Sequence, residues 1–131
     1  MEILNVIAAA LAAFAFGAVW YMSMSKAWIA AAEVPVDANG KPQGNGSVMP
    51  FVVGLVAMVI VAGMMRHVFA MSGLTTIIGG VKGGAGIGAF LITPWVAMNY
   101  AFGMRKPALT LIDGVNSVVG CTIMGAVLNL F

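Results

Sequence analysis

Residues 91–131 read LITPWVAMNYAFGMRKPALTLIDGVNSVVGCTIMGAVLNLF, two apolar runs divided by the basic turn Arg105-Lys106-Pro107. Traced back to Gly83, the first run is about 20 residues long, and so is the second from Ala108. That is the length a helix needs to cross roughly 30 Å of hydrocarbon at about 1.5 Å per residue. So short a turn predicts that the two helices are antiparallel neighbours. The second run carries Asp113, a carboxylate within two helical turns of two cations.

Composition agrees with a membrane protein. The 131 residues are 62% hydrophobic and 8% charged, with mean hydropathy +1.05, whereas soluble domains carry about 25% charged residues. The net charge of +2 reflects few charges rather than a basic surface, which argues against nucleic acid as a partner. One cysteine, Cys121, excludes an internal disulfide, and with a lone His67 there is no cluster to hold zinc or a bis-histidine haem. No metal or cofactor is expected. Glu2 stands where a signal peptide is basic, so the N-terminal apolar run reads as a retained helix.

The chain therefore reads as one domain, an all-α membrane protein with four transmembrane helices in an antiparallel bundle. The predicted spans are about 3–26, 51–71, 83–103 and 108–130, with a polar loop over 33–49. Trp20, Tyr21, Lys26 and Trp28 form an interfacial anchor at the end of the first span. In the loop, Asn39-Gly40 suits a tight turn, and Pro50 suits the start of the second helix, where its missing N–H costs nothing. Arg66 and His67 fall near that helix's far end and read as anchors. Trp20 before Lys26 and Trp95 before Arg105 give the two halves a shared layout, which interfacial anchoring alone would also produce.

Small residues mark two packing faces. Ala9, Ala13 and Gly17 recur every four residues in the first helix, and Gly80, Gly84 and Gly88 do so around the start of the third. Such stripes let another backbone approach closely in lipid. The same glycines do not make a phosphate loop, since no strand precedes them and no Gly-Lys-Ser/Thr follows. Pro94 predicts a kink or freed carbonyls in the third helix.

Counting helical rise from the same membrane surface puts Trp20, Tyr21, Asn99, Tyr100, Asp113 and Asn116 in one layer, with Lys26, Arg105 and Lys106 at its edge. Asp113, Asn116, Ser117 and Gly120 share a face that should point inward. Two roles compete for Asp113. It pairs with Arg105, Lys106 or Lys26 and accepts hydrogen bonds from Asn99, Asn116 or Tyr21, fixing the hairpin, or it exchanges protons or binds a cation beside the amide groups. With no second acid, no Ser/His/Asp set at one depth and Cys121 among apolar residues, no enzyme chemistry is expected.

Gly17-Ala18-Val19-Trp20-Tyr21, Lys26-Ala27-Trp28, Arg105-Lys106-Pro107, Leu111-Ile112-Asp113-Gly114 and Met124-Gly125-Ala126-Val127-Leu128 together resemble the bacterial membrane proteins grouped as domain of unknown function 1761. Met22 stands where that pattern tends to serine, and Ser25 where glycine precedes the lysine. The resemblance implies a four-helix bacterial membrane protein and supplies no activity. An inner (cytoplasmic) membrane location follows as an expectation. Lys26, Lys41, Arg105 and Lys106 on one side against Arg66 and Lys82 on the other place both termini outside. The expected role is structural or interactive: a self-associating bundle in the lipid bilayer, or an accessory subunit of a larger membrane complex. The alternative is a small oligomeric transporter or channel built on Asp113, Asn99 and Asn116.

Overall fold

The structure is a computed structural model that describes residues 2–43 and 47–131. Its helices are α1 (Glu2–Ser23), α2 (Ser25–Ala32), α3 (Met49–Ser72), α4 (Ile77–Ile87), α5 (Thr93–Phe102) and α6 (Pro107–Leu128), with a π-helical turn, Gly88–Ile92, joining α4 to α5. Four stretches are long and apolar enough to cross a membrane: Glu2–Ser23, Met49–Ser72, Ile77–Phe102 and Pro107–Leu128.

Two boundaries differ from expectation. The first span stops at Ser23, where Met24 leaves helical geometry (φ −101°, ψ 17°), and Lys26 and Trp28 belong to the separate helix α2. This helix exists because its apolar side has something to cover: Ala31 is buried against Leu109 and Ile112, with Trp28 beside them. Glu33 closes it in the left-handed region (φ 57°). The third span starts at Ile77 rather than near 83, because the Thr76 hydroxyl accepts a hydrogen bond from Gly79 N–H (2.9 Å) and caps the helix. In the loop, Asp37 Oδ1 accepts from the N–H groups of Asn39 and Lys41, and Gly40 turns with φ 77°. Residues 44–46 of the expected polar loop lie outside the described residues. Pro50 occupies the second position of α3.

Glycine costs about 1 kcal/mol against alanine in a helix interior, so the glycines of α4 need a reason. Packing supplies it. A Cβ on Gly80 would lie 2.1 Å from the Gly125 carbonyl oxygen, one on Gly84 2.1 Å from that of Cys121, and one on Gly88 2.6 Å from that of Ser117. As residue numbers rise along α4 they fall along α6, and one turn further on Thr93 meets Gly114. The step from Gly88 to Thr93 is five residues rather than four because the π-turn holds one extra. Thr93 donates to the Gly88 carbonyl through both its N–H and its hydroxyl (2.7 Å for the latter). The extra residue falls immediately before Pro94, whose ring nitrogen has no proton to continue the ladder.

On its other side α6 meets α1. Ala9, Ala10 and Ala13 are buried in one core with Cys121, Met124 and Leu128 of α6 and Ala62, Met65 and Phe69 of α3. All three buried residues of α3 belong to its C-terminal half. Trp20 and Trp95 are not equivalent: Trp20 turns inward, and Trp95 is 67% exposed.

Gly84→Ala should lower stability by roughly 1–3 kcal/mol, because the new methyl meets backbone that cannot yield. Gly86→Ala, with nothing within 4 Å of its Cβ position, should leave stability unchanged or slightly raised. Thermal unfolding of the two variants in one mild detergent measures the difference.

Candidate functional site

The site forms where α1 and α5 each meet α6 near the basic turn. Asp113 lies six residues into α6, roughly 9 Å along it. Tyr21 of α1 donates its hydroxyl proton to Asp113 Oδ1 (2.5 Å), and Tyr100 of α5 donates to Oδ2 (2.5 Å). Trp20 of α1 donates from Nε1 to the Ile112 carbonyl (3.0 Å), one residue before the carboxylate. Ser117 donates its hydroxyl to the Asp113 carbonyl (3.0 Å). The Tyr21 ring meets Trp28 edge-on at 6.0 Å, so α2 closes the layer from outside.

The partners of Asp113 are therefore hydroxyls, not cations. Arg105 donates to the Ala32 carbonyl and Lys106 to that of Ala30 (3.0 Å). Both cations cap the C-terminal end of α2, where unpaired carbonyls and the negative end of the helix dipole attract positive charge. The expected pairing of Asp113 with Arg105, Lys106 or Lys26 is thus corrected: the cations were drawn off by a helix that hydropathy did not reveal. Among the described residues, the one salt bridge joins Arg66 to Glu2 (3.7 Å).

Three members of the expected layer stand away from the carboxylate. Lys26 is exposed on α2. Asn99 is exposed while Tyr100 turns inward, because adjacent residues point about 100° apart around a helix of 3.6 residues per turn. Asn116 is half-buried and faces a groove between α1 and α3 rather than the carboxylate.

A second polar layer at the other end went unread in the sequence. Asn5 is buried and donates to the Phe131 carbonyl (2.5 Å). Arg66 reaches the Leu128 carbonyl (3.5 Å) as well as Glu2. Asn129 donates to the carbonyls of Leu74 (3.1 Å) and Thr76 (2.9 Å), which fixes the start of α4 beside the end of α6. The signal available was Asn5 itself, an amide within an apolar run. Arg66, expected as a surface anchor, instead spans α1 and α6.

The family described as protein of unknown function, DUF1761, matches residues 4–129. The chain belongs to that family. No curated protein and no solved structure matches the chain. Both ends of the site, Trp20-Tyr21 and Asp113, fall inside the span matched to DUF1761, as does the glycine seam between α4 and α6.

Removing either phenol hydroxyl should destabilise the fold by roughly 1.5–3 kcal/mol, the range for hydrogen bonds to a charged group. Tyr21→Phe and Tyr100→Phe should combine non-additively, since each removes a donor from the same carboxylate. A double-mutant cycle on thermal or denaturant unfolding in detergent checks this, and strict additivity would show that the tyrosines act independently.

Proposed function

We propose that this chain is an antiparallel bundle of four transmembrane helices in the inner (cytoplasmic) membrane, with both termini outside. We propose further that its role is structural or interactive: it self-associates, or serves as an accessory subunit of a larger membrane complex. The falling and rising numbers of the α4–α6 contacts support the antiparallel arrangement. The orientation rests on Lys26, Lys41, Arg105 and Lys106 outnumbering Arg66 and Lys82. On this reading the chain performs no catalytic step, and its surroundings are lipid and other membrane helices.

The observation that carries the proposal is the outer face of the third span. Leu91, Trp95, Met98 and Phe102 follow one another at spacings of four, three and four, with exposures of 66, 67, 43 and 86%. That is the seam spacing of packed helix pairs, where large side chains of one helix fit between those of another. α5 buries no residue at all, so the whole seam is free for a second copy or another subunit. Asp113 favours the same reading, because both its oxygens hold helices together. The alternative, a small oligomeric transporter or channel centred on Asp113, draws less support, since Asn99 points away and the carboxylate is closed.

With Cys121 replaced by serine, Trp95→Cys should give disulfide-linked dimers in native membranes under mild oxidation, whereas Val19→Cys, also exposed but on α1, should not. Native mass spectrometry that returned a lone monomer from mild detergent, together with no Trp95→Cys cross-link, would sink the self-association proposal.

A further inference from the structure

Asn116 lies nine residues into α6, roughly 14 Å along a helix about 33 Å long, close to mid-span. Among the described residues, none makes a hydrogen bond to its amide. The neighbouring polar groups are already engaged: Tyr21 and Tyr100 with the Asp113 carboxylate, Ser117 with the Asp113 carbonyl. Hydrocarbon offers an amide no partner, so an unpaired one at this depth calls for an occupant that carries a polar atom.

Space for such an occupant is present on both sides of the amide. A groove of about 300 Å³ between α1 and α3 is walled by Phe14, Gly17, Phe51, Gly54 and Met58, with Asn116 in its floor. A pocket of about 140 Å³ lined by Cys121 and Met124 continues from Asn116 into the bundle. Glycine sets how close the walls stand: a Cβ on Gly17 would lie 3.3 Å from Asn116 Oδ1, and one on Gly54 3.3 Å from the Phe14 ring, so the amide and the ring each rest against a glycine. Among the described residues, no charged side chain lines either space. The site is mostly apolar, and of its polar lining groups Tyr21 and Ser117 are already engaged, which leaves the Asn116 amide to orient an occupant.

We propose that this groove binds a neutral, lipid-soluble molecule of quinone type. A ring would lie between the aromatic walls Phe14 and Phe51, a carbonyl would accept from Asn116 Nδ2, and an apolar tail would run along the groove between α1 and α3. Neutrality follows from the uncharged lining among the described residues, and a carbonyl is the group that the amide's Nδ2 would bind as donor. A headgroup anion would meet no cation in the lining among the described residues, and Asn116 itself lies about 14 Å along its span, away from the surface where phosphates stay. The site is separate from the α5 seam and stands whether or not the chain self-associates.

The test is a titration of the full chain in detergent micelles, with asparagine side chains labelled with ¹⁵N, using a decyl-substituted benzoquinone as probe. The Asn116 amide signal, identified by its loss in Asn116→Leu, should shift and saturate. Decylbenzene, which has the tail and no carbonyl, should bind about tenfold more weakly, as expected for one lost hydrogen bond. Thermal stabilisation by the quinone should fall by a similar factor in affinity in Asn116→Leu, and should vanish in Gly54→Leu, which fills the groove from α3 and leaves the amide in place. Equal affinity for the two probes, or undiminished binding in Gly54→Leu, would overturn the proposal. So would an Asn116 signal that moves with protein concentration and not with quinone, the result expected if a second copy occupies the groove.

Discussion

Backbone touches backbone where α4 crosses α6, and the positions of the other helices follow from that contact. Gly80, Gly84 and Gly125 leave no side chain between the two helices, so their register is fixed by the shape of the main chain itself. In lipid this matters more than in water, because apolar side chains gain little by leaving one hydrocarbon for another, and close packing with polar contacts has to hold helices together. Once Gly80 is set against Gly125, the π-turn brings Thr93 to Gly114, and Tyr100 is delivered to the depth of Asp113. The carboxylate then has one tyrosine from each flanking helix.

The division of labour among the few charges is equally economical. Asp113 is satisfied by neutral donors, which leaves Arg105 and Lys106 free to bind the carbonyl end of α2. At the opposite end Arg66 joins Glu2 and the last turn of α6. Each polar layer thus ties α1 to α6 or to the residues just after it, while the core between them is apolar, with Ala9, Ala10, Ala13 and Ala62 against Cys121 and Met124. Asn116 is the exception to that interior, and its position beside open volume is what makes it informative.

Much of this was legible in the chain. Hydropathy alone marks the spans, and the four-residue recurrence of glycine and alanine marks the faces that come close. Counting depth brought Tyr21, Tyr100 and Asp113 to one level. What depth cannot reveal is rotation: Asn99 and Tyr100 share a level, and only the packing of α5 decides which one turns inward. Nor does depth reveal α2, whose apolar side is too short to register as a span, and without α2 the cations had no visible partner except Asp113. The glycines of α4 also hid a helix start, because glycine is a poor helix former and only the capping hydroxyl of Thr76 betrays where the helix begins.

The hydrogen bonds of α1 have a consequence for biosynthesis. Tyr21 and Asp113 are 92 residues apart in the chain, Trp20 and Ile112 likewise, and Asn5 and Phe131 are separated by 126. At about 5–20 residues per second of synthesis, the first helix waits on the order of 5–20 s in the membrane before its partners emerge. Until then its tyrosine, indole and amide have only water, headgroups or other proteins to satisfy them. The partners that complete α1 thus lie on or after α6, and the closing of α1 follows the synthesis of α6.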